Sequence, residues 1–308
     1  MVPDALAGGA DDPINLLSDA GWLSRMNSAT PKITALVHTR NESAWLAGCL
    51  ETLQWADELI VADMSSTDDT RAIATRYGAR IIDMPLHPVV EPVRNLALSQ
   101  CTHDWVLIVD ADERVPTSLA EHLRTLAQTS SASAIGLPRK NYFLGEWMEH
   151  GFWPDHQVRF VLRKKINWPV LVHEAPHVDG TQETLVSNPA WALEHPGYGQ
   201  SLSRFIQKLA HYSRLDAERQ VATVKPAIWP YLIRRPASEF LGRYLGQQAW
   251  RHGMHGLVWS LLQATYQLMV ACHYWDLQRA TQTVPPAETL RRETRNELFR
   301  TVVKWFRQ

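Results

Sequence analysis

From Lys32 the chain alternates between short continuous apolar runs and amphipathic stretches. Lys32–His38 (KITALVH), Glu58–Asp63 (ELIVAD), Ala79–Asp83 (ARIID) and Asp104–Asp110 (DWVLIVD) are too short for helices and carry many β-branched residues. Each predicts a buried strand. Between them apolar positions recur at three and four. Trp45, Leu46, Cys49, Leu50 and Leu53 predict a helix to Trp55, and the N-cap candidates Ser66 to Asp69 open another that runs to Tyr77 and closes at Gly78. Pro92–Gln100 and Thr117–Ala127 predict two more. Strand and helix in regular alternation, with strands that are apolar throughout, predict an α/β fold: a doubly wound, Rossmann-like, mostly parallel sheet with flanking helices.

After residue 130 the alternation stops. Ala134–Phe143 and Gln157–Leu162 read as antiparallel strands. From Ser201 the pattern is helical, at 201–221, 237–251, 256–279 and 287–307, with Pro226, Pro230, Pro236, Pro285 and Pro286 at the breaks. The expected organisation is a loose, Gly/Asp-rich lead-in over 1–30, an α/β domain over 31–200 with a change of character near 130, and a C-terminal helical region over 201–308.

Composition narrows the class. With 45% apolar and 20% charged residues in 308, the chain is a core-forming one. A formal charge of −1 gives no positive field for nucleic acid, so no nucleic-acid partner is expected. The charge is uneven, however: residues 231–308 hold 11 Lys/Arg against 5 Asp/Glu, leaving the front of the chain acidic. Cys49, Cys101 and Cys272 are odd in number and far apart, which fits a reducing compartment and neither a disulfide scaffold nor a zinc site. The start carries Asp4, Asp11 and Asp12 in place of a basic patch and apolar run, so no signal peptide is expected. Residues 252–275 lack Lys, Arg, Asp and Glu, but Ser260, Gln263, Gln267 and His273 interrupt them and argue against a spanning helix.

In an open parallel sheet, ligands bind beyond the carboxyl ends of the strands. Those ends carry Thr39-Arg40-Asn41-Glu42, Asp63 and Asp110-Ala111-Asp112-Glu113. Neither a G-x-G-x-x-G turn nor a Walker loop cradles a phosphate. A carboxylate-rich pocket repels a bare pyrophosphate, but accepts one if Mg²⁺ or Mn²⁺ sits between it and Asp112. Plainer roles compete. Asp63 can cap the helix that starts near Asp68, and Arg94 can pair with Glu91 or reach nucleotide phosphates.

ITALVHTRNE, LIVADMSSTDDT, PVRNLAL and WVLIVDADERVP, in that order and spacing, resemble the nucleotide-binding half of family 2 glycosyltransferases of the GT-A fold. WPDHQVRFVLRK and NWPVLVHE resemble the lipopolysaccharide-core β-1,4-glucosyltransferase-like branch, to about residue 275. The resemblance implies a nucleotide-binding half over 31–130, an acceptor half over 131–200, and inverting transfer from a nucleotide diphosphate sugar, a UDP-sugar first among them. A saccharide or lipid-linked saccharide, such as a lipopolysaccharide core, would be the acceptor. It also implies a divalent metal, Mn²⁺ or Mg²⁺, on Asp112 with Asp110 on metal or ribose. Asp63 would hold base or ribose; Thr39, Arg40, Asn41, Glu42 and Ala111 would line the nucleotide pocket, with Arg94 nearby. One departure is Asp63-Met64-Ser65-Ser66 where the family often has Asp-Asp-Gly-Ser, which bears on base selectivity.

Inverting transfer needs a general base within hydrogen-bond reach of the acceptor hydroxyl. Glu174 in VHEAP and Asp155 in WPDHQ compete for that role. Glu174 is favoured because it follows the apolar VLV and has His173 beside it, a further candidate metal ligand. Asp155 can instead cap the turn after Pro154, Glu174 can pair with Arg159 or Arg163, and His173 can simply face solvent. His195 in LEHPGYG is a third candidate and reads as structural, while Trp153 and Trp168 suit either sugar stacking or core packing. In the tail, Val258, Leu261, Leu262, Thr265, Met269 and Cys272 form an apolar stripe near Arg234, Arg235, Arg243 and Arg251. Leu298, Val302, Val303, Trp305 and Phe306 sit among further basic residues. Such helices either lie on an anionic membrane surface or pack on the α/β domain or on a second subunit of a homodimer. The expected protein is an enzyme, cytoplasmic and peripheral to the inner face of the plasma membrane. The alternatives are a sugar-phosphate nucleotidyltransferase, against which the glycine-free HTRNE weighs, and a non-catalytic nucleotide-sugar-binding or membrane-scaffold protein.

Overall fold

A computed structural model describes residues 30–87, 90–169, 175–223 and 230–280, with 291–292, 295–296 and 299 beyond them. His173, Glu174, most of the lead-in and most of the expected 287–307 helix lie outside the described residues. The first half follows the predicted alternation: β1 (Ile33–Thr39), α1 (Ser43–Glu51), β2 (Glu58–Asp63), α2 (Thr70–Arg76), β3 (Arg80–Asp83), α3 (Glu91–Ser99), β4 (Trp105–Asp110) and α4 (Thr117–Thr129). β1 is buried along its whole length because it pairs in parallel with β2 on one side and β4 on the other, and helices cover both faces. That is why its run is apolar at every position. Ile33, Ala35 and Val37 meet Leu46, Leu50, Leu119 and Leu123 on one face. On the other, Leu36, Ile60 and Ile108 meet Val93, Ala97 and Leu98.

The second half extends the same sheet. β5 (Ala134–Phe143), β6 (Glu146–Trp147), β7 (Asp155–Leu162), β10 (Gln182–Thr184) and β11 (Leu193–Gly199) join it, and β8 (Ile166–Asn167) pairs with β9 (His177–Val178) separately. Strand order is β10-β5-β7-β4-β1-β2-β3, with β11 and β6 also on β5. β7 is antiparallel to both β4 and β5, whereas β10 and β11 run parallel to β5. Mostly parallel, with antiparallel β7 set beside β4, the sheet has the expected Rossmann-like α/β architecture with flanking helices.

The helical region packs on this domain. α5 (Leu202–Thr223) and α7 (Gly253–Ala280) are long, and α7 begins three residues before its predicted start. A single helix over 237–251 is not what forms. A π-helical turn at Pro230–Arg234 leads into α6 (Arg235–Leu241), then another at Gly242–Gly246 and a 3₁₀ turn at Ala249–His252. The break falls at Gln248, whose φ of 60° is left-handed and incompatible with continued helix. Trp259 of α7 is fully buried against Phe143, Phe205 and Phe152, its ring 4.7 Å from that of Phe152. At least this part of the helical region therefore packs on the α/β domain.

Candidate active site

The strand ends and the helical region enclose a cavity of about 730 Å³. Placing β7 between β4 and β5 brings Arg159 and Arg139 beside the last residue of β4. Arg159 grips Asp110 with both guanidinium nitrogens and reaches Glu113 Oε1 at 3.1 Å. Arg139 donates to Glu113 Oε1 (2.9 Å) and to Asp155 Oδ2 (2.7 Å). Glu113 is wholly buried, and its Oε2 accepts from the Asp110 backbone amide at 2.9 Å. Buried carboxylates need such partners. Burial alone would raise the Asp110 pKa, but Arg159 and then Arg94 outweigh it and hold the carboxyl well below its usual range. Asp155 is likewise held low: Arg139, Asn141 and Gln157 all donate to it against the opposing effect of burial.

Two residues after Asp110 the company changes. β11 pairs with β5, and a bridge between Arg114 and Glu194 ties it to the turn after β4. His195 is thereby set between Asn141 and Asp112, with Nδ1 2.8 Å from Asn141 Oδ1 and Nε2 3.1 Å from Asp112 Oδ2. Asn141 Nδ2 donates to Asp155, so its Oδ1 is the acceptor and His195 Nδ1 must donate. A neutral imidazole then turns the Nε2 lone pair toward a carboxylate. Two acceptors this close need a proton or a metal between them. Burial would raise the Asp112 pKa, but His195 prevails and lowers it. Gly197 makes the approach possible: a Cβ there would stand 2.4 Å from Asp112 Cβ and 2.8 Å from its Oδ2.

Other cavity groups lack protein partners. Both ring nitrogens of buried His38 and the Oγ1 of Thr39 make no hydrogen bond. Burial, reinforced by Arg94, pushes the His38 pKa down to about 3 despite Asp110, so the ring is neutral and can offer one donor and one acceptor. Glu42 moves the other way, to about 7, through burial and then the charge of Asp112, with Lys208 opposing.

Of the predicted residues, Thr39, Arg40, Glu42, Arg94, Asp110, Ala111, Asp112 and Asp155 line this cavity. Arg94 lies over the Trp168 ring at 5.5 Å, so Trp168 supports a cavity residue from the core. Asp63 and Asn41 are not in that lining. Asp63 is buried and accepts from Ser66 and from Arg71 Nη1 (2.9 Å), which anchors the turn before α2 without capping that helix. Asn41 accepts from the Thr67 amide at 2.8 Å and clamps the loops after β1 and β2 together. Sequence reasoning missed His38, Arg139, Asn141 and Gly197, and named Glu113 and Arg159 without these roles. Arg159 had a signal, a lone charge within the apolar run QVRFVL. Arg139, Asn141 and Gly197 depend on strand pairings remote in sequence.

Comparison with known proteins gives a consistent picture. The family model described as "Glycosyl transferase family 2" matches residues 34–182. A lipopolysaccharide core biosynthesis glycosyltransferase, LpsC of Rhizobium meliloti, is 29% identical, covering 79% of this chain and 92% of that one. An uncharacterized glycosyltransferase of Rickettsia prowazekii is 26% identical, over 82% of this chain and 90% of its own. Among solved structures, the mannosyltransferase PcManGT of Pyrobaculum calidifontis, in complex with GDP-Man and Mn²⁺, aligns over 90% of this chain and 84% of its own, with 17% identity and a TM-score of 0.43.

Proposed function

We propose that this chain, whose residues 34–182 match the model of family 2 glycosyltransferases, transfers a sugar, with inversion, from a nucleotide diphosphate sugar to a saccharide or lipid-linked saccharide such as a lipopolysaccharide core. The observation that carries the reading is the close pair of Asp112 Oδ2 and His195 Nε2, 3.1 Å apart at the mouth of β4, beside the unpartnered polar atoms of His38 and Thr39.

Asp112 and His195 would hold the divalent metal, Mn²⁺ or Mg²⁺; the chemistry of the pair fits one, since a metal-bound imidazole usually donates its other N–H, here to Asn141. Among the described residues no third protein ligand joins them, which leaves room for donor oxygens. When bound, the metal neutralises charge on the departing diphosphate. Thr39, His38 and Arg94 form the nucleotide side of the cavity. Asp110, locked by Arg159, holds the turn that presents Asp112. Asp155 suits positioning better than proton abstraction, because three donors already occupy it and its pKa is held low. We therefore assign the base to Glu174. The region that carries Arg234, Arg235 and Arg251 also exposes Leu245, Trp250 and Met254, which favours a peripheral position on the inner membrane face. No described helix is long and apolar enough to cross a membrane.

Calorimetry with a panel of nucleotide sugars, with and without Mn²⁺, tests the reading. One donor should bind, and more tightly with metal; a panel that shows no binding in either condition overturns it.

A further inference from the structure

The helical wall of the cavity carries polar residues. A helix packed only for stability puts apolar residues inward and polar residues outward. α7 buries Trp259, Val270, Ala271 and Tyr274 in that way, but it also exposes apolar residues and turns polar ones to the cavity. Met254, Leu261, Leu268 and Trp275, spaced by seven, are 70%, 49%, 40% and 39% exposed, while Gln263, Tyr266 and Gln267 line the cavity. Opposite them, Lys208, Tyr212 and Asp216 recur at four along α5 and line the same space. The neighbouring stripe, with Phe205, Ser213 and Ala217, carries the burial instead. The two polar rows are joined where Tyr266 Oη donates to Asp216 Oδ2 at 2.5 Å.

We propose that these rows form the binding groove for an oligosaccharide acceptor. The proposal rests on the transferase reading above and names the acceptor side of that same cavity. Carboxamides pair with hydroxyls as both donors and acceptors, a carboxylate accepts from them, and tyrosine rings offer flat faces to the C–H side of a sugar. The groove starts at the reacting end, because Lys208 shares the cavity lining with Glu42 and Asp112. From Lys208 the stripe continues to Arg219, also on the cavity, a rise of about 16 Å along the helix. That length exceeds a single sugar ring and fits a chain of them.

The experiment is saturation-transfer NMR with neutral and acidic tri- and tetrasaccharides, on protein saturated with donor nucleotide and Mn²⁺. Wild type should bind at least one oligosaccharide. Gln263→Leu with Gln267→Leu should weaken it by about tenfold, and Tyr266→Phe by less, on the loss of one to two hydrogen bonds each. Calorimetric nucleotide affinity should stay within about twofold of wild type, and melting curves check folding of each variant. Undiminished oligosaccharide binding in the double variant overturns the groove, as does a wild type that binds nucleotide sugar and none of the oligosaccharides. Failure to bind any nucleotide sugar overturns the transferase reading instead.

Discussion

Asp110 and Asp112 stand two residues apart on one turn and are neutralised in opposite ways. Asp110 is matched by two arginines that never lose their protons, inside a network shared with Glu113 and Asp155. Asp112 is matched by one histidine, His195, at 3.1 Å. The first arrangement is a shared ion network and builds the turn. The second leaves Asp112 with a partner whose charge is not fixed, which suits the metal-assisted donor binding proposed above. A D-x-D spelling alone does not separate these roles; neighbouring strands do.

The comparison can be broken at several points. The largest effect is expected at Arg159→Met, which leaves Asp110 and Glu113 buried with one cation fewer. It should cost about 3–5 kcal/mol of stability, read by denaturant unfolding. A variant as stable as wild type would show that the arginines are not what holds the turn. Asp112→Asn should leave the fold intact and lower transfer by roughly 10²–10³-fold, with loss of Mn²⁺-dependent donor affinity in calorimetry. His195→Gln comes next, weakening Mn²⁺ binding about 10–100-fold while the nucleotide alone binds as before. If Asp110 and Asp112 variants gave the same profile in both assays, the division of labour would be wrong.

The smallest effect concerns protons. The Glu42 pKa rises in the fold from 4.5 to about 7. Below pH 4.5 both folded and unfolded chains carry the proton. Between there and pH 7 the unfolded chain ionises first, so the fold loses stability as pH rises through that window. Glu42→Gln should flatten the metal-free melting temperature between pH 5 and pH 7.5. Asp112→Asn should flatten it in part, since Asp112 is one cause of the shift.

β1 to β4 were legible because parallel strands covered on both faces leave unbroken apolar runs. Thr39, Glu42, Arg94, Asp110 and Asp112 followed from the rule that such sheets bind at strand ends, and all line the cavity. Asp63 also ends a strand but lies outside the cavity lining, its carboxylate bonded to Ser66 and Arg71. Arg139, Asn141 and His195 come from strands whose partners lie far along the chain, and local patterns do not encode such pairings. The helical region misled differently. Its apolar spacing was visible, but an exposed seam and a buried stripe look alike when both recur at three and four. The 237–251 helix failed because one left-handed residue, Gln248, outweighs a favourable run around it.

Gly197 approaches Asp112 with no space left for a methyl group. The same strand delivers His195, so any side chain at 197 would pry apart the two groups that meet at 3.1 Å. Position 197 thus has an alphabet of a single letter, set by a carboxylate far away in sequence. Loss of function can arise there without altering one group that binds or reacts.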